Sequence, residues 1–187
     1  NGFGRIGRLL TREIIKNPRL SIKSINHPTM KVNDLKYLLK NDTAHGPFKI
    51  YNDLPHLHNY ELPDEIPWED ELDFIIDTTG KFKEYKDVGQ HIKHNNRTTK
   101  VIVSAPSDTL PMFIYGANHE KYNGEQFISA SSCTTTCLAP IVKLLDDNYG
   151  INSGLATTIH SVTASQNAVD KFKSGSRMGR SLFNLIP

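Results

Sequence analysis

Asn1-Gly2-Phe3-Gly4-Arg5-Ile6-Gly7 is the stretch whose reading decides the fold of this chain. Its spacing fits a dinucleotide fingerprint. The first glycine permits a tight turn, the second lets backbone approach a pyrophosphate, and the third lets a helix pack closely on a strand. The pyrophosphate then rests on the helix N-terminus, where backbone N–H groups have no partner within the helix. A glycine-rich turn alone is a weak signal, so the residues around it carry the decision.

Downstream, Ile6, Leu9, Leu10 and Ile14 fall on one face at helical spacing, and Asn17-Pro18 ends the pattern. A strand is predicted over 21–26 and a helix over 33–41, with Val32, Leu35, Leu38 and Leu39 facing inward. Residues 49–61 read as short antiparallel strands punctuated by Pro55, with Pro63 beyond them. Asp73-Phe74-Ile75-Ile76-Asp77-Thr78-Thr79-Gly80 is a continuous apolar strand ending in hydroxyls and glycine, followed by a helix that aligns Tyr85, Val88 and Ile92. Extended runs recur at 100–106, 112–116 and 126–130. Beyond Cys133, Leu138, Ile141, Val142 and Leu145 form a helical stripe that bends at Pro140. Residues 154–164 read as a new strand and 171–180 as a loop.

This alternation predicts an α/β fold: a doubly wound Rossmann-type dinucleotide-binding domain over 1–132, followed over 133–187 by the truncated start of an α+β catalytic domain. Both ends read as cut, because the chain opens directly on the glycines without a first strand and stops at Leu185-Ile186-Pro187.

Composition narrows the partners. Of 187 residues, 37% are hydrophobic and 22% charged, as in an ordinary globular protein. The net charge of +2 is small and evenly spread, which argues against nucleic acid or an anionic membrane surface as a partner. No apolar run approaches the roughly 20 residues of a membrane helix, and no signal-peptide pattern precedes the glycines. Phosphorylated small molecules fit better. Cys133 and Cys137 are too close in sequence to staple a protein of this size, and without histidines at metal spacing they make a poor zinc site. A reducing, cytoplasmic setting with a reactive thiol follows.

Cys133 lies where an extended run meets a helix, flanked by Ser132 and Thr134. A helix N-terminus favours thiolate over thiol. His160, on the alternating stretch Thr157-Thr158-Ile159-His160-Ser161-Val162-Thr163, is a candidate base. The bland alternative for Cys133 is an inert buried thiol; the conjunction of hydroxyls, position and histidine favours a nucleophile. The strand ending at Asn26 should carry an acidic residue for the adenosine ribose, yet His27 and Pro28 follow it. A neutral imidazole hydrogen-bonds a hydroxyl, whereas a protonated one also accepts a 2′-phosphate, so NAD is expected with NADP open.

The strings NGFGRIGR, VSAPSDTLPMF, NHEKY, SCTTTCLAP and TTIHSVTASQ, in this order, resemble those of the phosphorylating glyceraldehyde-3-phosphate dehydrogenase family. The chain corresponds to roughly the first half of that family's length. It departs from the family at His27 in place of aspartate, at Ala130-Ser131 in place of Asn-Ala, and at Thr136 in place of asparagine. It also lacks an arginine between Tyr60 and Trp68. The resemblance implies that Gly2, Phe3, Gly4, Arg5 and Ile6 lie along the pyrophosphate and that Thr79 and Ser104 lie near the ribose and nicotinamide end. It further implies Cys133 as nucleophile, His160 as base, Ser132 and Thr134 on inorganic phosphate, and Thr163 on the phosphate of glyceraldehyde 3-phosphate. NAD as cofactor, a glycolytic role and a homotetramer, with the loop from about Lys173 reaching a neighbouring subunit, are implied in the same way. From the residues themselves, another dehydrogenase of the same covalent route, a cysteine hydrolase and a non-enzymatic binding module stay open.

Overall fold

The computed structural model describes residues 1–49, 55–69, 71–93 and 99–163. Asn1–Gly150 form one compact unit and Ile151–Pro187 another. In the first unit, helix α1 (Arg5–Lys16) starts directly after Gly4 and ends at Asn17, ahead of Pro18, which disfavours helical backbone in the residue before it. Strand β1 (Ser24–Asn26) follows, then α2 (Val32–Lys40), the hairpin β2 (Asn41–Asp42) and β3 (Gly46–Pro47), and β4 (His56–His58). Next come β5 (Phe74–Asp77), the short helix α3 (Tyr85–Val88) running into a 3-10 turn, β6 (Lys100–Val103), β7 (Phe127–Ser129) and α4 (Cys133–Tyr149).

β4 pairs in parallel with β1, Ser24 opposite His56. β5, β6 and β7 form a second parallel set, with Phe74 opposite Lys100 and Val101 opposite Phe127. Asn1 and Gly2 join the two. The Asn1 nitrogen donates to the Ile76 carbonyl at 2.7 Å and the Asn1 carbonyl accepts from Thr78 at 2.8 Å, while Gly2 donates to the Asn26 carbonyl at 2.9 Å. The order across the sheet is therefore β4, β1, Asn1-Gly2, β5, β6, β7. Numbered along the chain this is 3-2-1-4-5-6, the doubly wound arrangement, whose ligand crevice opens where the order reverses. The glycine turn stands at that reversal.

Two apolar clusters hold the layers. Ile75, Val88, Val101, Val103, Ala105, Leu110 and Phe127 pack around β5, β6 and β7, whereas Phe3, Ile25, Leu35 and Leu39 pack around β1 and α2. α1 is tied to α2 and the hairpin by the buried Arg12, whose guanidinium donates to the carbonyls of Leu39 (2.5 Å), Gly46 (2.7 Å) and His45 (3.3 Å).

A chain of buried polar groups crosses the sheet at the end where the glycine turn lies. Asn26 donates to the Tyr60 carbonyl and to Asn1 Oδ1, Asn1 Nδ2 donates to Asp77 Oδ2 at 2.8 Å, and His91 Nε2 lies 3.1 Å from that same oxygen. Trp68 Nε1 donates to His91 Nδ1 at 3.3 Å. The other Asp77 oxygen accepts from both the backbone and the hydroxyl of Thr79.

Several sequence expectations need correction. The buried face of α1 comprises Gly7, Thr11 and Arg12, and Ile6 is exposed in the first turn. Val32 is likewise exposed at the start of α2, where only Leu35 and Leu39 are buried. β4 is parallel and extends the main sheet; the antiparallel pairing falls earlier, at β2 and β3. No strand forms over 112–116 beyond a single bridge of Met112 to Ser129. There the Asn118 side chain accepts from Ile114 N and donates to the Met112 carbonyl, which closes a turn instead of a ladder. The helix expected after residue 133 runs through Pro140, but its stripe of Leu138, Ile141, Val142 and Leu145 is not packed: no residue of α4 is buried. In the second unit, 151–163 form no strand. Every one of these residues is exposed, so among the described residues the alternation has no partner ladder or apolar layer to reward it. Ala164 and the loop at 171–180 lie outside the described residues.

Burial alone would raise the Asp77 pKa. The hydrogen bonds from His91 and Thr79 outweigh it and hold the carboxyl below its ordinary value. A depressed folded-state pKa contributes stability above the unfolded value of about 4, lost as pH falls through the folded value. Asp77→Ala is expected to cost about 1–3 kcal/mol for each buried donor it leaves unpaired, the desolvation penalty of an unsatisfied polar group, as read from urea denaturation at pH 7. The gap between wild type and variant should narrow below pH 4.

Candidate functional site

The turn that opens α1 is shaped by close approach. Gly2 has φ +89°, and a Cβ there would lie 2.9 Å from Thr79 N. A Cβ on Gly7 would lie 2.2 Å from the Gly2 carbonyl oxygen, so the helix sits on the turn only because both positions lack side chains. Thr78 Oγ1 fastens this packing, donating toward the carbonyls of Gly2 (2.8 Å) and Asn1 (3.1 Å). Gly4 differs. A Cβ on it would meet nothing within 4 Å, and the helix it starts has neither a side-chain cap nor an acidic residue in its first turn. An open, uncapped and positively polarised helix end beside a glycine fits a dinucleotide pyrophosphate.

The residues expected to bind cofactor gather here, with one distinction among them. Gly2, Gly4, Arg5 and Ile6 form the turn and the first turn of α1, with Arg5 and Ile6 exposed. The Phe3 side chain, 1% exposed, belongs to the core, so only its backbone is available to a ligand. Thr79 and Ser104 follow β5 and β6 at the same sheet edge, both half-buried, and Ser104 N donates to the Asp77 carbonyl at 2.9 Å.

β7 leads to the thiol. Cys133 is the first residue of α4 and is exposed. Ser132 caps the helix: its Oγ accepts from Thr135 N at 3.0 Å and lies 2.7 Å from Thr135 Oγ1. The first turn of α4 contains no acidic residue. Thr134, next to the thiol, is half-buried. Because β6 and β7 are parallel neighbours, the ends that carry Ser104 and Ser132-Cys133-Thr134 lie on the same edge as the glycine turn.

Two residues that the sequence reading missed set the approach to the thiol. Ser129, fully buried, donates from Oγ to the Ala105 carbonyl at 2.6 Å and accepts from Ser131 N at 3.0 Å. Ser131 is the one described non-glycine residue with positive φ, at 70°. A non-glycine residue in the left-handed region is held there by its surroundings, and the Ser129 clamp supplies that hold while the chain turns from β7 into α4. Nothing in residue type signals either role. His160 and Thr163 lie in the second unit and are exposed; His160 Nδ1 is 2.7 Å from the Ser161 carbonyl.

Fold and site together define a Rossmann-type dinucleotide-binding protein with a cysteine at a helix start on its ligand-binding edge. Residues 1–85 match the family model described as glyceraldehyde 3-phosphate dehydrogenase, NAD binding domain, and residues 132–187 match that family's C-terminal domain. The chain belongs to the glyceraldehyde-3-phosphate dehydrogenase family. It is 41% identical over 202 residues to glyceraldehyde-3-phosphate dehydrogenase of Phytophthora infestans, covering all of this chain and 60% of that protein. It is 41% identical over 182 residues to glyceraldehyde-3-phosphate dehydrogenase 1 of Kluyveromyces marxianus, covering 91% of this chain and 55% of the relative. A cytosolic form from Craterostigma plantagineum is 39% identical over 204 residues, covering 100% of this chain and 60% of its own. The chain thus spans about three-fifths of the length of the relatives it matches.

Ser132→Ala removes the cap of α4. The expected cost is about 1 kcal/mol, read as roughly five-fold faster amide hydrogen exchange at Thr135 and Thr136.

Proposed function

We propose that this chain forms the cofactor-binding and nucleophile-bearing part of a phosphorylating, NAD-dependent glyceraldehyde-3-phosphate dehydrogenase. The observation that carries the reading is the exposed Cys133 at the start of α4, on the sheet edge that also carries the glycine turn. Membership of the family supports it. NAD would be held by the Gly2 to Ile6 turn along its pyrophosphate, with Thr79 and Ser104 toward its ribose and nicotinamide end; when bound it supplies a hydride acceptor.

Cys133 attacks the aldehyde carbon of glyceraldehyde 3-phosphate, giving a hemithioacetal. His160 takes the hemithioacetal hydroxyl proton as the carbon is oxidised, which leaves a thioester on Cys133. The α4 N-terminus points its backbone dipoles at the sulfur and at the oxygen on which charge builds. Inorganic phosphate, bound through Ser132 and Thr134, attacks the thioester and releases 1,3-bisphosphoglycerate with the thiolate as leaving group. Thr163 binds the phosphate already present on the substrate.

The domain boundary belongs to this reading: 1–132 for cofactor and 133–187 for the beginning of the catalytic domain. So do a homotetrameric assembly and a cytoplasmic, glycolytic setting. Among the described residues no helix is long and apolar enough to cross a membrane, and one relative is a cytosolic form.

In the complete protein, Cys133→Ser is expected to abolish aldehyde oxidation while leaving the NAD dissociation constant within about two-fold, since the thiol contributes to chemistry and not to dinucleotide binding. Turnover at the wild-type rate would refute the assignment. His160→Asn should lower kcat by about two to four orders of magnitude, the usual worth of a positioned acid/base. It should also slow alkylation of Cys133 by iodoacetamide, and an unchanged alkylation rate would break the proposed pairing.

A further inference from the structure

His56-Leu57-His58 sets two imidazoles two residues apart on β4, and a strand turns alternate side chains to the same face. Leu57, between them, packs on the cluster of Phe3, Ile25, Leu35 and Leu39. Both histidines therefore stand on the other face of the sheet, where their ring centroids are 4.6 Å apart. His56 is exposed and His58 half-buried. The Nε2 atom of His58 is itself buried and has no hydrogen-bond partner among the described residues. His91, the other imidazole beside Trp68, is different: it is buried with both ring nitrogens engaged, Nδ1 by the Trp68 indole N–H and Nε2 by Asp77. A buried polar atom without a partner is costly, and in a folded protein it calls for a water, an ion or a reactive role. The second imidazole at this distance favours an ion, since ring nitrogens that share one metal lie about 2.0–2.1 Å from it.

A carboxylate lies on the same face. β1 pairs with β4 in parallel, Ser24 opposite His56, so these two side chains project to one side of the sheet. Ser24 Oγ donates to Glu69 Oε2 at 2.9 Å, which brings the exposed Glu69 to that side of the strand pair. A negative charge close by favours a divalent cation. Among the described residues no three His, Cys, Asp or Glu side chains already converge as metal ligands. The pair is thus a two-nitrogen chelate with positions open to water, unlike a closed structural centre of four protein ligands. Imidazole also selects the ion: it suits zinc, copper and nickel, whereas magnesium and calcium take oxygen.

We propose that His56 and His58 bind one divalent transition-metal ion between them, with Glu69 as the neighbouring counter-charge. The site is independent of the dehydrogenase reading, because none of these three residues serves the cofactor or the aldehyde in it.

Trp68 reports on the site. It is the one tryptophan of the chain, and its ring stands edge-on to that of His58 with centroids 6.0 Å apart. The test is a titration of the full chain, folded by circular dichroism, after Cys133 and Cys137, both exposed, have been alkylated with iodoacetamide. Cu2+, paramagnetic and the tightest-bound of the first-row divalent ions, should quench the Trp68 emission and saturate at equimolar metal. Mg2+ should leave the emission unchanged. His56→Asn keeps a polar side chain at an exposed position and removes one ligand; it should weaken Cu2+ binding by about 10-fold or more, because the second imidazole of a chelate binds intramolecularly. His58→Phe keeps an aromatic ring against Trp68 and removes the unpartnered nitrogen. It should weaken Cu2+ binding as much, while the thermal midpoint without metal stays at or above that of the wild type. Since His56 is exposed, its variant decides the matter by itself should His58→Phe fail to fold. No saturable quenching by Cu2+ in the folded wild type, an equal response to Mg2+, or a titration left unchanged by either substitution overturns the site.

Discussion

A single carboxylate, Asp77, sets the direction of the polar contacts beside the glycine turn. A carboxylate only accepts, so the Asn1 amide must present its NH2 to Asp77 and its oxygen to Asn26. Asn26 then accepts from Tyr60 N with its own oxygen. On the other side His91 must carry its proton on Nε2, which leaves Nδ1 to receive the Trp68 indole N–H. One charged group thus fixes two amide orientations and a histidine tautomer across five side chains. The same carboxylate, through its second oxygen, holds Thr79.

The glycine turn and the end of β5 hang from this network. Asn1 starts the glycine turn, and Thr78 and Thr79 lie against it from β5. The packing is tight where backbone meets backbone, at Gly2 and Gly7, and open at Gly4, where α1 presents its uncapped end. At the β7 end the logic differs. Ser132 satisfies a helix N–H with its own hydroxyl, and the strained Ser131 is held by the buried Ser129. A closed cap and a fixed bend leave Cys133 in a set position with its thiol exposed.

Much of the fold was legible because it follows from local chemistry. The glycine spacing, the breaker Asn17-Pro18, the apolar run at 74–77 and the alternation of strand and helix all require only near neighbours, and they place α1, β1, α2, β5, β6 and β7 within a few residues. What failed was of another kind. Ile6 and Val32 match a helical face by spacing but lie in the first turns of their helices and are exposed. The β4 strand is parallel because its edge docks on β1, a choice made by distant residues. Met112 to Gly116 has strand-like residues, yet the Asn118 side chain takes the backbone groups a ladder would need. The alternation at 154–163 has no neighbouring strand among the described residues, and alternation without a partner does not make a sheet.

By itself the sequence determined the class of fold, the glycine turn and the thiol-bearing helix start, since each depends on residue types a few positions apart. It also showed that histidine, not a carboxylate, follows the second strand of the fold. Tertiary structure alone decided that Asn26, Asn1, Asp77, His91 and Trp68 form one hydrogen-bonded line and that Ser129 braces the approach to Cys133. The reason is physical. Hydrogen bonds and charges act over a few ångströms, and only the parallel sheet brings strand ends far apart in sequence to within that reach.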